Sequence, residues 1–393
     1  MPFDHYIHAG GKRLRCGYTT GTCAALAAAG ATRLLLTQEA PATVALLTPK
    51  GLRVEVPLDQ ASLEGTACAV AAVAKDAGDD ADVTDGLWVW ARVELCAKKG
   101  VTIDGGVGVG RVTKPGLDQP VGAAAINRVP RQMIVEAVQA VCDDLAYEGG
   151  LHVTVYVPGG EALAARTFNP DLGIVGGISI LGTSGIVEPM SEEALVETVR
   201  LELRQAHALQ DGAPRRRVIV TPGNYGCDFL RAQGYDQLGV PVVRCSNFVG
   251  EALDEMARLG FDEALLVGHA GKFVKLAGGI MHTHSRMADC RMELVCAHAA
   301  ACGAPPQLCA AILDAATVDA ALELLMASDG DGRSLASSVL ARHTLDALIA
   351  AAGRHVAKRA GAQVHCGVVV FSNVYGCLGQ TPTAKELVHA WQT

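Results

Sequence analysis

Basic side chains are concentrated after one apolar segment in the second half of the chain. Residues 265–267 are typical of a buried strand, which we expect to end at Gly268. Open α/β sheets bind ligands beyond the carboxyl ends of their strands, so the side chains that follow are candidates for a binding site. Lysine, arginine and histidine together favour a ligand with several negative charges. The candidates are His269, Lys272, Lys275, His282, His284 and Arg286.

The same region also has a structural interpretation. If residues 282–293 form a helix, one face of it carries His282, Arg286, Asp289 and Glu293. That face would be exposed to solvent and stabilised by ion pairs between these side chains. A zinc site built on the histidines is a further alternative, but their spacing does not match a zinc motif. We therefore expect no metal ion bound by the protein itself.

A second candidate is the glycine-containing segment Gly182-Thr183-Ser184-Gly185, which follows a predicted strand over residues 174–181. Glycine lets a backbone approach a ligand closely, and exposed amides can bind an anion or a ribose-bearing cofactor. An ordinary turn between a strand and a helix is the alternative, because the segment does not have the dinucleotide-binding spacing.

Two further groups lie in the first half. Thr19 and Thr20 precede an alanine-rich segment, where hydroxyls and free amides at a helix start can bind a carboxylate. Helix capping by Thr20 or Thr22 is the commoner use of such residues.

The run from Lys75 places several carboxylates together, which could bind a cation, orient a positively charged cofactor or supply a base. These carboxylates belong to Asp76, Asp79 and Asp80, and a solvated turn is the structural alternative for them. Two further cations, Lys114 and Arg131, lie in proline-containing segments that are predicted to be loops.

Composition excludes several classes of protein. The 393 residues carry a net charge of -8, and their basic residues are scattered, which argues against a nucleic-acid-binding surface. The 13 cysteines include no Cys-x-x-Cys pair and are typical of buried thiols in a reducing compartment. No apolar segment is expected to act as a signal peptide or to cross a membrane. We therefore expect a cytoplasmic protein.

The two halves of the chain have different patterns. Residues 22–36 are apolar on nearly all sides, which predicts a buried helix, and residues 151–157 alternate as in a half-buried antiparallel strand. Beyond residue 170, apolar runs alternate with helical segments, as in parallel sheets covered on both faces. We expect an α+β domain over residues 1–170, followed by an α/β domain over residues 171–393 with a mostly parallel, helix-covered, Rossmann-like sheet.

Several long segments, in order, resemble one family: the cobalt-precorrin-5B C(1)-methyltransferases of anaerobic cobalamin biosynthesis. The resemblance runs from Leu14 almost to the end of the chain. The segments that carry it are Gly17-Tyr18-Thr19-Thr20-Gly21-Thr22-Cys23, Lys75-Asp76-Ala77-Gly78-Asp79-Asp80, Val112-Thr113-Lys114-Pro115-Gly116, Gly182-Thr183-Ser184-Gly185-Ile186-Val187-Glu188, Pro222-Gly223-Asn224-Tyr225-Gly226, Ser246-Asn247-Phe248-Val249-Gly250 and Thr283-His284-Ser285-Arg286.

The resemblance implies an enzyme that transfers a methyl group from S-adenosylmethionine to C-1 of the cobalt-precorrin-5B ring, giving cobalt-precorrin-6A. The substrate is a small-molecule tetrapyrrole that brings its own cobalt. The working assignment has three sets of residues. Gly182, Thr183, Ser184, Gly185 and Glu188 bind the cofactor, with Asp76, Asp79 and Asp80 near its sulfonium; Lys114, Arg131, Lys272 and Arg286 bind ring carboxylates; and His269, His284, Thr19 and Thr20 lie at the reacting ring.

Two other functions remain open at this point. A tetrapyrrole-binding or cobalt-handling protein without catalysis would bind the ring but not S-adenosylmethionine. A metal-dependent hydrolase would use His269, His282 and His284 as ligands. The sequence also leaves assembly into a homo-oligomer open.

Overall fold

The computed structural model describes residues 3–58, 60–167, 169–170, 172–327 and 338–392. The chain divides into two compact units, residues 1–192 and residues 193–393. This division comes later than the expected boundary at residue 170. The reason is that residues 174–187 form short strands that pair with strands of the first unit.

The first unit contains one long sheet and several short pairs of strands. Its strands are β1 Tyr6–Ala9, β2 Lys12–Arg15, β3 Gly17–Tyr18, β4 Thr43–Leu47, β5 Arg53–Pro57, β6 Gln60–Leu63, β7 Cys68–Ala74, β8 Trp88–Cys96, β9 Gly100–Gly105, β10 Gly108–Val109, β11 Arg111–Val112, β12 Gly150–Tyr156, β13 Ile174–Val175, β14 Gly177–Ile178 and β15 Ile186–Val187. Its helices are α1 Thr20–Thr37, α2 Arg128–Asp144 and α3 Gly160–Ala164.

Helix α1 is the centre of the first core. Fifteen of its residues are buried, because alanine, glycine and threonine let neighbouring elements pack closely on every side. The sheet of order β6-β7-β8-β12-β9 packs against it and is antiparallel except for the β12/β9 pair. The predicted buried helix and the predicted strand near residues 151–157 are both confirmed.

The second unit is built on a five-stranded sheet. Its strands are β16 Arg217–Thr221, β17 Val242–Arg244, β18 Glu263–His269, β19 His365–Ser372 and β20 Gly376–Gln380. Its helices are α4 Glu192–Ala208, α5 Asn224–Ala232, α6 Val249–Leu259, α7 Ala270–Phe273, α8 Arg291–Ala301, α9 Pro306–Leu313, α10 Val318–Ala327, α11 Val339–Ala360 and α12 Pro382–Gln392, with 3₁₀ turns at Tyr235–Gln237 and Val274–Gly278.

The strand order of this sheet is β17-β16-β18-β19-β20, parallel except for β20. Alternate residues of β16 point to opposite apolar cores, Val218 and Val220 to one and Ile219 to the other. Both faces are therefore covered, as the apolar strands predicted. Segment 174–181, expected to be the first strand of this sheet, is not part of it. Its strands pair instead with β10 and β11, so that prediction was wrong.

The helices of the described residues do not include one that is both long enough and apolar enough to cross a membrane.

Candidate functional site

The second unit has a topological switch point at β16. The chain passes from β16 to β17 on one side and then returns to form β18 on the other side. At a switch point the connections that leave two adjacent strands run in opposite directions. A crevice then opens beyond the carboxyl ends of those two strands. We therefore expect a ligand crevice beyond Thr221 of β16 and His269 of β18.

The turn after β16 brings glycine to this position. Gly223 precedes α5 with an extended backbone and no side-chain cap, and a Cβ atom there would meet no atom within 4 Å. Gly226 differs, since its Cβ would lie 1.6 Å from Oγ1 of Thr221. Close packing of α5 on β16 thus explains why residue 226 is glycine. At residue 223, by contrast, no atom of the described protein would exclude a larger side chain.

His269 ends β18 and caps the short helix α7. Its Nδ1 accepts a hydrogen bond from the amide of Gly271 over 3.1 Å. Its ring stands edge-on to Phe371 at 5.5 Å and lies 6.4 Å from the ring of Tyr225, which is 66% exposed. Because Nδ1 is an acceptor, the neutral imidazole carries its proton on Nε2 and can donate from there.

Lys272 is half-buried on α7. Burial lowers the pKa of its amine below the ordinary value, and the charge of Lys275 lowers it further. The amine is also close enough to the buried thiol of Cys245 to lower that thiol's pKa, which burial raises to about 12. Cys245 follows β17, and its amide donates to Thr221 of β16 over 2.9 Å. Lys272, on the helix after β18, therefore lies near the residue that follows β17 and that is bonded to the end of β16.

Residues 282–290 are not helical, so the predicted shared face of His282, Arg286, Asp289 and Glu293 was wrong; α8 begins only at Arg291. The cause is a buried lysine beneath the loop. Lys275 is 2% exposed, and its Nζ donates to the carbonyl oxygens of Thr283 over 3.0 Å and Ala288 over 2.8 Å. Burial lowers the pKa of Lys275.

The loop held by Lys275 carries the other predicted groups of this unit. Nδ1 of His284 accepts from the amide of Arg286 over 3.1 Å, so its neutral ring also carries the proton on Nε2. The side chain of Arg286 is exposed. The rings of His282 and His284 lie 6.4 Å apart. Within the described part of the chain, no three His, Cys, Asp or Glu side chains are grouped to bind a metal ion.

In the first unit, Thr19 and Thr20 are buried at the start of α1. Oγ1 of Thr19 accepts from the amide of Thr22 over 3.2 Å, which makes Thr19 the cap. The amide of Gly21 donates to the carbonyl of Leu181 over 2.9 Å, and Oγ1 of Thr20 accepts from the amide of Leu181 over 2.9 Å. These groups are used within the protein, so we no longer place Thr19 and Thr20 at the reacting ring.

The segment Gly182–Gly185 is the partner of that helix start. A Cβ on Gly182 would lie 2.2 Å from Oγ1 of Thr19, and one on Gly185 would lie 2.8 Å from Cβ of Thr48. Both glycines have positive φ. Close packing therefore explains these glycines without a ligand. In the same segment Ser184 hydrogen-bonds Ile186, Thr183 is exposed, and Glu188 forms an ion pair with Lys50 at 2.5 Å.

The acidic turn is held by bonds to Arg15, Gly78 and Met190. Asp76 makes a bidentate ion pair with Arg15, at 2.5 and 2.8 Å, and accepts from the amide of Gly78. Asp79 accepts from the amide of Arg15, and Asp80 from that of Met190 over 3.3 Å. These contacts occupy the three carboxylates within the protein, and the turn is partly buried, not solvated as in the structural alternative expected for it.

The two cations of the first unit differ in environment. Arg131 donates to the carbonyl oxygens of Ile126, Ile103 and Ala124 over 2.9, 3.1 and 3.4 Å, and burial lowers its pKa. Its donors thus serve the fold, and we remove it from the substrate site. Lys114 is exposed, with its stem against Gly173.

Comparison with known proteins decides the family. The family model described as CbiD matches residues 7–189, and the model described as CbiD, C-terminal domain, matches residues 282–382. A cobalt-precorrin-5B C(1)-methyltransferase of Ruminiclostridium cellulolyticum is 48% identical over 318 residues, 80% of each chain. The chain belongs to the CbiD family. A relative of the same name from Salmonella paratyphi B is 44% identical over 326 residues, 82% of this chain and 83% of its own.

A crystal structure of a cobalamin biosynthesis protein (cbiD) from Archaeoglobus fulgidus is 29% identical to this CbiD-family chain. It aligns with 72% of this chain and 86% of its own, at a TM-score of 0.38.

The two CbiD models match the segments with Thr19 and His284, and the switch point with Lys272 lies between the matched ranges. Sequence reasoning missed the roles of Lys275 and Gly223. The spacing Lys272-x-x-Lys275 places both lysines on one face of a helix, so nothing in the sequence indicated that one of them is buried. Pro222-Gly223-Asn224 stood out only as part of a segment of the family resemblance.

Proposed function

We propose that this protein methylates C-1 of cobalt-precorrin-5B, with S-adenosylmethionine as methyl donor, to give cobalt-precorrin-6A. The observation that carries the proposal is the identity of 48% and 44% to relatives named for this reaction, over about four fifths of each chain. Family membership alone would leave the substrate open, but such identity over both units makes a shared reaction the simplest inference.

Charge at the second unit supports the proposal. Lys272 is half-buried with a second lysine next to it, and Arg286 is exposed on the loop that Lys275 holds. A ligand with carboxylate groups would offset the energetic cost of burying the Lys272 charge and could pair with Arg286. Lys114, exposed in the first unit, remains a proposed partner of a ring carboxylate. The ring of the substrate carries cobalt, so cobalt enters as part of the substrate.

S-adenosylmethionine supplies an electrophilic methyl group when it is bound. The tasks left to the protein are to orient the ring and to exclude water, and good alignment can lower a barrier by about 7–11 kcal/mol. His269 and His284 have a specific part in this proposal. Each accepts a backbone hydrogen bond at Nδ1, so each presents an Nε2–H donor to the substrate rather than a basic lone pair.

The test is a reaction of purified protein with cobalt-precorrin-5B and S-adenosylmethionine, followed by mass spectrometry of the tetrapyrrole. We expect a product heavier by one methylene unit and an equal amount of S-adenosylhomocysteine. Tetrapyrrole binding without turnover would contradict the proposal and favour a non-catalytic carrier. His284→Phe should lower kcat or raise KM, because it removes the Nε2 donor along with the Nδ1 acceptor of the Arg286 amide.

We also keep the cytoplasm as the expected location. All thirteen cysteines are free thiols in the structure, which agrees with a reducing compartment. Fractionation of cells that produce the protein would test this expectation.

A further inference from the structure

Among the described residues, the neighbouring groups that shift the pKa of Lys272 are Cys245 and Lys275, and neither is a carboxylate. Cys245 stays a neutral thiol, since burial raises its pKa to about 12. A half-buried ammonium group next to another cation is costly unless a ligand brings negative charge. One carboxylate at this point would complete the site.

The position of this amine coincides with the switch point. β16 lies between β17 and β18, and Lys272, which follows β18, is near Cys245, which follows β17. Thr221 at the end of β16 leads directly into the turn that contains Gly223. The lysine and the glycine turn therefore lie on either side of the crevice where sheets of this kind bind nucleotide-like ligands.

Gly223 leaves room for a ligand that approaches the backbone. Its φ of 167° is extended backbone, which any residue can adopt, and a Cβ would meet no protein atom within 4 Å. Neither backbone strain nor packing thus requires glycine here. The next residues add recognition elements, because α5 begins without a side-chain cap and Tyr225 holds an exposed ring near His269. An aromatic ring of this kind can stack on a nucleobase.

We infer that the methyl donor binds at this switch point, with its methionine carboxylate on Lys272 and its nucleoside against the Gly223 turn. The inference rests on the proposed function, since it assigns a place to the donor of that reaction. It replaces the expected donor site at Gly182–Gly185, where packing against Thr19 and Thr48 accounts for the glycines.

A ring acetate or propionate of the tetrapyrrole offers the same carboxylate chemistry. What favours the donor is the company of Lys272: the open Gly223 turn and the exposed ring of Tyr225 follow the neighbouring strand and suit a nucleoside. The methionine end of the donor would then supply the carboxylate. The two sources are distinguished by titrating the protein separately with S-adenosylhomocysteine and with uroporphyrin, an octacarboxylate tetrapyrrole.

The experiment is isothermal calorimetry of the whole chain, which needs no turnover. Lys272→Met keeps the length of the side chain and removes its charge. Gly223→Ala adds one methyl group where the free protein has space. We expect each variant to bind S-adenosylhomocysteine at least about tenfold more weakly, because a charge-assisted contact or a close backbone approach is lost. Uroporphyrin affinity should change less than twofold.

Lys385→Met is the matched control, because Lys385 is an exposed lysine on α12 of the same unit. It should leave both affinities unchanged. Gly223→Ala and Lys385→Met should keep the wild-type unfolding midpoint, and Lys272→Met, which removes a half-buried charge, should unfold at or above it. Folded Lys272→Met and Gly223→Ala proteins that keep full S-adenosylhomocysteine affinity would overturn this site while leaving the proposed function intact. A loss confined to uroporphyrin would assign Lys272 to the ring, and a loss on Thr183→Asp instead would return the donor to Gly182–Gly185. A wild-type protein that binds no S-adenosylhomocysteine would contradict the proposed function itself.

Discussion

The hydroxyl of Thr22 donates a hydrogen bond to the carbonyl oxygen of Gly185 over 2.6 Å, although the two residues are 163 positions apart. This bond joins the first turn of α1 to the segment that ends the first unit. The amide of Thr19 donates to the same carbonyl over 3.1 Å. The glycine-containing segment is therefore part of the helix cap, and substitutions there should act first on stability.

Gly185→Ala should destabilise the first unit by about 1–3 kcal/mol beyond the cost of its positive φ, because the new Cβ collides with Thr48. Gly176→Ala is the matched control, since Gly176 has a similar φ of 84° but no atom within 4 Å of the new Cβ. Urea unfolding gives the loss in free energy of unfolding for each variant, and the difference between the two losses measures the cost of the collision. Equal losses in free energy would show that Gly185 is not tightly packed.

Lys275→Met should loosen the loop over residues 283–288. The carbonyl oxygens of Thr283 and Ala288 lose their donor, and an unsatisfied buried group costs about 1–3 kcal/mol. Hydrogen exchange read by mass spectrometry should speed up in this loop and leave β16 protected. Unchanged exchange in a folded variant would contradict the bracing role, and Lys385→Met again serves as the control.

Asp76→Asn should remove a pH-dependent part of stability. Burial alone would raise the pKa of Asp76, but bonds from Arg15 and Gly78 outweigh it and hold the pKa below 3.8. A carboxyl group whose pKa is lower in the folded state stabilises the protein above 3.8, and this contribution is lost as pH falls through the folded pKa. The difference between wild type and variant should therefore be largest near neutral pH and shrink as the pH falls through and below 3.8.

The control for this experiment is Asp144→Asn. Asp144 pairs with Arg33, but the two side chains are 58% and 38% exposed, and exposed pairs contribute little. A pH-independent difference for Asp76→Asn would mean that the ion pair with Arg15 does not stabilise the fold.

Arg131→Lys should destabilise the first unit without weakening tetrapyrrole binding. A lysine cannot reproduce the three divergent bonds of the guanidinium to backbone carbonyls. We expect a loss of about 1–3 kcal/mol in urea unfolding and an unchanged titration with uroporphyrin. Arg128→Lys, at an exposed position of the same helix, should change neither. If an Arg131→Lys protein is as stable as the wild type but binds uroporphyrin more weakly, Arg131 belongs to the substrate site after all.

Methyl transfer should continue after dialysis against a chelator. The described residues do not include three His, Cys, Asp or Glu side chains grouped for a metal ion, and His269 and His284 use Nδ1 for backbone bonds. The assay compares treated protein with and without added zinc. Activity that is lost on chelation and returns with zinc alone would favour the hydrolase-type histidine site.

Local patterns predicted the parts of the fold that depend on local burial. The all-apolar character of residues 22–36 gave a buried helix, and the apolar strands of the second unit gave a covered parallel sheet. Segment 174–181 was misassigned because its hydrogen-bond partners lie in β10 and β11, more than sixty positions earlier, and periodicity carries no information on such partners.

The candidate site was predicted less well for a related reason. The sequence located the basic cluster after β18, but it could not show that Lys275 is buried beneath residues 282–290 and keeps them from forming a helix. It also could not separate glycines that pack, such as Gly182, from a glycine that faces open space, such as Gly223. That difference depends on tertiary neighbours and not on residue type.

The pairing of β3 with β15, Tyr18 opposite Ile186, has a consequence for synthesis of the chain. A ribosome makes α1 early, but the strand and the carbonyl groups that close its first turn emerge only after residue 187. At typical elongation rates this delay is on the order of ten seconds. An alanine-rich apolar helix therefore has only the Thr19 cap, without the carbonyl groups of Leu181 and Gly185, while most of its unit is still being translated.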